Sequence, residues 1–292
     1  MDAAASRFAQ CKVLVGLIGA GIQRSLSPAM HEEEARHHGL RLHYQLIDLD
    51  RTDGSVAAEL PLLLRAARTM DFAGLNITFP CKQAVIPLLD ELSDEARQMG
   101  AVNTVVARDG RWVGHNTDGS GWSWGFRRAL PAARLDRVVL LGAGGAGSAI
   151  AHAALRLGTR HLRIVDEDVQ RARKLAGELN AIHGKRAVAV AGIASALEGA
   201  DGLIHATPTG MDKMPGMALP AQLLQPSLWV SEVVYFPLET ELLRTARAIG
   251  CATVDGGTMA VGQAVGAFEL FTGLAADARR MEAHFRSLVA QR

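Results

Sequence analysis

Arg137-Val138-Val139-Leu140-Leu141 runs straight into Gly142-Ala143-Gly144-Gly145-Ala146-Gly147, and an alanine-rich stretch follows to about Leu157. An apolar strand, a GxGxxG spacing and a helical pattern, in that order, make the fingerprint of a dinucleotide-binding βαβ unit. Each glycine has its own task. Gly142 permits a tight turn, Gly144 lets the backbone approach a pyrophosphate, and Gly147 lets the helix pack close to the strand. Ala143, Gly145 and Ala146 complete the loop. The N–H groups at the helix start then face the anion. The next strand-like run, His161–Val165, ends at Asp166, nineteen residues past Gly147. That context separates the motif from a glycine-rich turn with no ligand.

Asp166 also speaks to the cofactor. A carboxylate there accepts hydrogen bonds from the adenosine ribose hydroxyls of NAD and repels the 2′-phosphate of NADP. A unit-charge pair at about 4 Å and an effective dielectric near 20 is worth about 4 kcal/mol at most in a solvated site. A third of that gives about tenfold discrimination. Glu167 and Asp168 add negative charge, and Arg171 and Arg173 soften it. NAD is the expected cofactor, with NADP as the alternative. Asp166 can also act as a helix N-cap.

Outward from the loop, strand-like and helix-like segments alternate. Val13–Ile18, His43–Leu49, Phe72–Ile77 and Val102–Val106 read as strands on the N-terminal side. Ser27-Pro28 looks like an N-cap followed by proline, opening a helix that stops at Gly39, and Val56–Thr69 has helical spacing. Trp122–Leu130 is helix-like and ends at Pro131. Val169–Leu179 is the next helix, and Ala187–Val190, Gly202–Ala206 and Trp229–Val234 continue the strands. From about Gly257 the chain is mostly helical. Such alternation implies an α/β fold with parallel sheets covered on both faces. The acidic tract Glu32–Glu34 reads as a solvated helix face, and His37-His38 as solvated helix residues.

With 292 residues, two domains are expected. Lys plus Arg total 31 and Asp plus Glu 30, which argues against a nucleic-acid surface. Cys11, Cys81 and Cys251 stand far apart, so neither a disulfide framework nor a zinc ribbon is expected, and the cytoplasm is the natural compartment. The apolar stretch Val13–Ile22 is broken by Gly16, Gly19 and Gly21. Little positive charge precedes it, which fits neither a membrane span nor a signal peptide. Monomer and homodimer both stay open.

Several polar residues fall at strand ends and loops: Ser25, Ser27, Asn76, Thr78, Lys82, Asn103, Asn116, Asp118, Tyr235 and Gln263. Hydroxyls and amides suit a small polyhydroxylated acid, and a lysine can move a proton to or from an alcohol oxygen. Taken singly, each has a plain reading. Lys82 can be a surface lysine, and Asn116-Thr117-Asp118-Gly119 a turn with Asx hydrogen bonds. The residues alone lead to a nicotinamide-dependent dehydrogenase of a small polar substrate.

Ser25-Leu26-Ser27-Pro28, Asn76-Ile77-Thr78-Phe79-Pro80-Cys81-Lys82, Gly100-Ala101-Val102-Asn103-Thr104, Asn116-Thr117-Asp118-Gly119, Ala206-Thr207-Pro208-Thr209-Gly210-Met211 and Gln263-Ala264 stand in the order seen in shikimate dehydrogenases. The resemblance covers nearly the whole chain and is closest to the NAD-using quinate/shikimate dehydrogenases. It implies a substrate domain over 1–118, a Rossmann-type NAD domain over 119–255, and C-terminal helices over 256–292 that return to the first domain, with a cleft between the domains. It implies Lys82 as catalytic lysine with Asp118 as its partner. Ser25 and Ser27 would hold the substrate carboxylate, and Asn76, Thr78, Asn103, Tyr235 and Gln263 would make further substrate contacts. Thr207, Val233, Gly256 and Met259 would line the nicotinamide end. No metal is implied.

Three positions depart from the family pattern. NADP enzymes usually carry Asn-Arg where Val165-Asp166-Glu167 stands. Quinate-active relatives often have Thr in place of Ser27, so Ser27 fits shikimate at least as well. His205 occupies a place where Asn is commoner. The alternatives to NAD-dependent shikimate/quinate oxidation are a biosynthetic NADP enzyme, a dehydrogenase of an amino-substituted analogue, and a non-catalytic NAD- or shikimate-binding regulator. The presence of both Lys82 and Asp118 counts against the regulator.

Overall fold

β7 (Arg137–Leu141) leads into the glycine loop and lies inside a six-stranded sheet. A computed structural model describes residues 12–292; the readings made on the start of the chain, Cys11 included, lie outside the described residues. The chain divides into two units. One runs to Thr117 and resumes over Gln263–Arg292; the other is Asp118–Gly262.

In the second unit, β7 is joined by β8 (His161–Val165), β9 (Ala187–Ala189), β10 (Gly202–His205), β11 (Trp229–Glu232) and β12 (Ala252–Val254). The strand order is β12-β11-β10-β7-β8-β9, and every pairing is parallel. Counted from β7, that is the 3-2-1-4-5-6 order of a Rossmann sheet, whose switch point lies between β7 and β10. Alternate residues of β7 serve two cores, as period-two geometry requires. Val138 and Leu140 join Ile150, Leu155, Leu175, Trp122 and Phe126 on one face. Val139 and Leu141 join Leu203, Leu242 and Ala246 on the other. Both faces are therefore dry, as a parallel sheet demands. The Trp122 indole N–H donates to the Ser231 hydroxyl at 3.0 Å, which satisfies the one polar atom of a buried ring.

The first unit holds β1 (Lys12–Gly19), β2 (Arg41–Asp48), β3 (Phe72–Ile77), β4 (Glu91–Leu92), β5 (Thr104–Arg108) and β6 (Arg111–His115), in the order β2-β1-β3-β5-β6-β4. β1, β2 and β3 are parallel, but β5 runs antiparallel to both β3 and β6. This sheet is mixed, not the parallel one expected from alternation. The cause is the two-residue turn Asp109-Gly110, where φ is 50° and 76°. Two left-handed residues between paired strands make a tight hairpin, and Asp-Gly is its usual sequence. Leu60, Leu64 and Ala67 of the helix Val56–Thr69 pack on Leu75 and Ile77. Val13, Val15 and Leu17 face Tyr44, Ala267 and Phe271 on the opposite side.

Four local expectations are corrected. Ser27 is not an N-cap: it lies inside the helix Ser27–His37, because Leu26 already has helical dihedrals (φ −90°, ψ −3°). The Ser25 hydroxyl instead accepts from the Ser27 N–H at 3.2 Å. The helix expected from Trp122 starts at Asp118, whose carboxylate in the first turn suits the helix dipole. Glu34 is not on a solvated face. It is buried, accepting two bonds from the Arg280 guanidinium at 2.6 and 2.8 Å and one from the Asp277 N–H at 2.8 Å. His38 also bonds Glu34 and lies beside the Phe268 ring, so only His37 keeps the solvated role. Among the described residues no helix is long and apolar enough to cross a membrane.

Candidate functional site

Ligands of open α/β sheets bind outside the carboxyl ends of the strands, at the point where strand order reverses. Each unit has such an edge. In the first unit the reversal lies between β1 and β3. The loop after β1 carries Ser25 and leads to Ser27, and the loop after β3 carries Thr78 and the short helix Cys81–Ala84 with Lys82. The two loops are tied together: Ala20 N–H donates to the Phe79 carbonyl and Thr78 N–H to the Ile18 carbonyl, both at 2.9 Å. A Cβ on Gly19 would collide with the Thr78 methyl, so only glycine allows this approach. Asp48, at the end of β2, holds the first loop by accepting from Gly21 N–H and Gln23 Nε2, each at 2.9 Å.

The antiparallel β5 brings its amino end to this same edge, and Asn103 with it. Asn103 Oδ1 accepts from Thr117 N–H at 2.8 Å and from the Thr104 hydroxyl at 3.0 Å, while its Nδ2 donates to Thr117 Oγ1 at 3.0 Å. Thr117 in turn donates to the Gln263 carbonyl at 3.0 Å. Asn76 lies within β3 and is buried as well. Its Oδ1 accepts from the Tyr44 hydroxyl at 2.8 Å, and its Nδ2 donates to Thr104 Oγ1 at 3.1 Å and the Asn103 carbonyl at 3.3 Å. Ser25, Ser27, Thr78, Lys82, Asn103 and Gln263 thus belong to one unit, with Asn76 as part of the scaffold beneath them. Asn116 is also scaffold, donating to the Ala101 carbonyl at 2.9 Å. Asp118 is buried and opens the second unit.

In the second unit the glycines behave as their spacing requires. Gly142 has φ +105°, and a Cβ there would stand 2.7 Å from the Ala206 carbonyl oxygen. A Cβ on Gly147 would collide with the Gly142 carbonyl. Around Gly144 there is open space. No side chain caps the helix Gly145–Arg156, so its first N–H groups are available to an anion. A pyrophosphate fits these residues.

Asp166 follows β8, and its side chain is only 5% exposed. Its Oδ2 accepts from Ala143 N–H at 2.7 Å and its Oδ1 from Asp168 N–H at 2.9 Å, while Arg171 Nη1 stands 3.4 Å away. It is not the helix cap. Asp168 takes that role, accepting from the Gln170 and Arg171 N–H groups. Thr207 follows β10, Val233 follows β11 and Gly256 follows β12, so all three share the edge with the glycine loop. Met259 is buried in the apolar core of this unit, and Tyr235 is 44% exposed. Sequence reading missed Asp48, Thr117 and Glu232. The signal available was a polar residue closing an apolar strand, as in Trp229-Val230-Ser231-Glu232.

Residues 17–105 match a family model described as the shikimate dehydrogenase substrate binding domain. The chain is 58% identical over 282 residues to the shikimate dehydrogenase (NADP(+)) of Streptomyces avermitilis, covering 96% of this chain and 97% of the relative. It is 49% identical over 280 residues to the quinate/shikimate dehydrogenase (NAD(+)) of Corynebacterium efficiens, covering 94% and 98%. The solved quinate dehydrogenase from Corynebacterium glutamicum in complex with NAD superposes with a TM-score of 0.89 at 48% identity, covering 94% of this chain and 99% of that one. The chain belongs to the shikimate dehydrogenase family and is an oxidoreductase that uses a nicotinamide dinucleotide.

Proposed function

We propose that the chain is an NAD-preferring dehydrogenase that oxidises the ring alcohol of shikimate, quinate or both to the 3-dehydro ketone, reversibly. The observation that carries the cofactor choice is the Asp166 carboxylate, held at the mouth of the glycine loop by Ala143 N–H. A carboxylate there suits two ribose hydroxyls and opposes a 2′-phosphate. The second reading, an NADP enzyme, draws on Arg171, which is half exposed and 3.4 Å from Asp166. A guanidinium so placed can clamp a phosphate.

In the oxidative direction Lys82 takes the proton of the substrate hydroxyl at Nζ, and returns it in the reduction. Asp118 serves as its acidic partner. Ser25 and Ser27 hold the substrate carboxylate, and Thr78, Asn103, Tyr235 and Gln263 orient the ring hydroxyls, with Asn76 keeping Asn103 in place. Gly142, Ala143, Gly144, Gly145, Ala146 and Gly147 bind the pyrophosphate, and Thr207, Val233, Gly256 and Met259 bound the nicotinamide end. The dinucleotide, when bound, supplies the hydride acceptor. Positioning of both reactants accounts for much of the rate.

Initial rates of the purified protein with NAD and NADP, each against shikimate and quinate, test this. The expected outcome is an NAD preference that falls about tenfold in Asp166→Ser, the size of one screened charge contact. An NADP preference in the unaltered protein would overturn the Asp166 argument and favour the Arg171 reading.

A further inference from the structure

His205 has no explanation in the family pattern, yet the structure surrounds it with partners. It is the last residue of β10 and is buried, with Nδ1 2.8 Å from Glu232 Oε1 and Nε2 within hydrogen-bond distance of Thr207 Oγ1. Glu232, the last residue of β11, is buried as well. Its Oε1 also accepts from the N–H groups of Val233 at 2.8 Å and Val234 at 3.0 Å. Its Oε2 accepts from the Thr240 hydroxyl at 2.9 Å. Thr240 caps the helix Glu241–Ile249, accepting from Leu243 N–H, so its own proton is directed at Glu232.

Three of the neighbours of Glu232 are fixed as donors. An ionised carboxylate, which only accepts, satisfies all of them and sets His205 as the Nδ1–H tautomer. On a neutral ring Nε2 is then bare and accepts, with the Thr207 hydroxyl as the donor within reach. Thr207 Oγ1 also accepts from Thr209 N–H at 3.3 Å. Its single proton is consumed inward, and a lone pair is what it has left to offer. Thr207 stands beside the switch point, since a Cβ on Gly142 would touch its methyl group at 3.0 Å.

We infer that His205 and Glu232 are positioning residues that make Thr207 an obligate hydrogen-bond acceptor at the nicotinamide end, selecting a ligand group that donates, such as the primary amide of the nicotinamide ring. This rests on the reading above that Thr207 borders that end of the cofactor. An acceptor facing an acceptor leaves both unpaired, so the selection works against carbonyl-only analogues.

The test compares binding of NAD and of its 3-acetylpyridine analogue, which replaces the amide NH2 by a methyl group, by calorimetry without substrate. Unaltered protein is expected to prefer NAD about tenfold, one charge-neutral hydrogen bond's worth. Thr207→Val and His205→Leu are expected to bring the ratio near one. His205→Gln, with an amide N–H and C=O in place of the two ring nitrogens, is expected to restore part of it. Ring nitrogen NMR of the unaltered protein at neutral pH should show a protonated Nδ1 and a bare Nε2 on His205. A purely structural His205 would weaken both dinucleotides equally in His205→Leu, and that unchanged ratio would overturn the inference. So would an imidazolium, or Nε2–H, in the NMR spectrum. If His205→Leu does not fold, Thr207→Val and the NMR decide. Equal binding of both dinucleotides with normal turnover sinks this inference alone, while failure to bind NAD sinks the cofactor reading with it.

Discussion

The two sheets have candidate binding edges built from opposite materials. The edge of β1 and β3 is made of side chains: Ser25, Ser27, Thr78, Lys82 and Asn103, supported by Tyr44, Asn76 and Thr117. The edge of β7 and β10 is made largely of absent ones: Gly142, Gly144 and Gly147 keep the loop free of side chains, and the uncapped helix Gly145–Arg156 offers its first N–H groups. The contrast follows from the ligands each edge suits. A pyrophosphate is the same in every dinucleotide and can be met by backbone alone. A ring with a carboxylate and several hydroxyls needs donors and acceptors at individual points, which only side chains supply. One edge should therefore fail when atoms are removed, and the other when they are added.

The largest effect is expected at Lys82. Lys82→Met should lower kcat by about two to four orders of magnitude, the usual contribution of a positioned proton-transfer group. Calorimetric NAD binding to the unchanged glycine edge should persist. Full activity in this variant would remove Lys82 from the chemistry and break the comparison at its first half.

The second half is sharpened by two additions of atoms. A Cβ added at Gly144 would meet nothing within 4 Å, so Gly144→Val should leave the melting temperature within a degree or two while raising the cofactor KM about tenfold or more. Gly147→Val should do both kinds of damage, because its side chain meets the Gly142 carbonyl. Overpacking of that kind costs about 1–3 kcal/mol. Equal thermal stability in the two variants would show that Gly147 is not the packing glycine.

The side-chain edge depends on a buried layer, and Tyr44→Phe probes it. The variant removes the hydroxyl that donates to Asn76 Oδ1 at 2.8 Å. Leaving a buried acceptor without that donor costs about 1–3 kcal/mol. Urea denaturation should show the loss, with a smaller rise in substrate KM as Asn103 loosens. An unchanged midpoint would mean that Asn76 finds its acceptor bond elsewhere.

The same contrast explains what can be read from the chain. The backbone-made edge is legible because glycine spacing is local: Gly142 to Gly147 sit on one turn, and strand, loop and helix follow in order. The strands Phe72–Ile77, Arg137–Leu141 and His161–Val165 are legible for the same reason, as short and mostly apolar runs. The β5–β6 hairpin is harder. Asp109-Gly110 carries its signal, but the alternation of strand and helix on either side points to parallel pairing and outweighs a two-residue turn. The side-chain edge is nameable only through family resemblance. Asn76 and Asn103 are 27 positions apart, and nothing local says that the amide of one will donate to the carbonyl of the other. The burial of Glu34 is hidden more deeply still, since Arg280 lies 246 residues further on.

His31 tests the packing beneath the side-chain edge, and its effect vanishes above pH 6.5, which makes it the most dependent on conditions. It is fully buried among Tyr44, Phe268 and Phe271, with ring centroids 5.0, 6.2 and 5.8 Å away, and neither ring nitrogen has a hydrogen-bond partner among the described residues. Burial pushes its pKa down from 6.5 to about 3, against a smaller upward pull from Glu34. The folded protein therefore holds it neutral where the unfolded chain would protonate it. Above pH 6.5 neither state binds the proton and stability is unaffected. As pH falls below 6.5 the unfolded chain gains a proton that the native state refuses until about pH 3, and stability drops by up to about 1.4 kcal/mol per pH unit. Between pH 7.5 and pH 5 that amounts to about 2 kcal/mol. His31→Leu removes the group at similar size, so its urea midpoint should fall less over that interval than the midpoint of the unaltered protein. At pH 7.5 the variant should be at least as stable, because two unpartnered buried nitrogens have gone. If both proteins lose stability in parallel as the pH falls, the imidazole is being protonated inside the fold, and the layer under β1 and β2 admits a charge that its apolar walls should exclude.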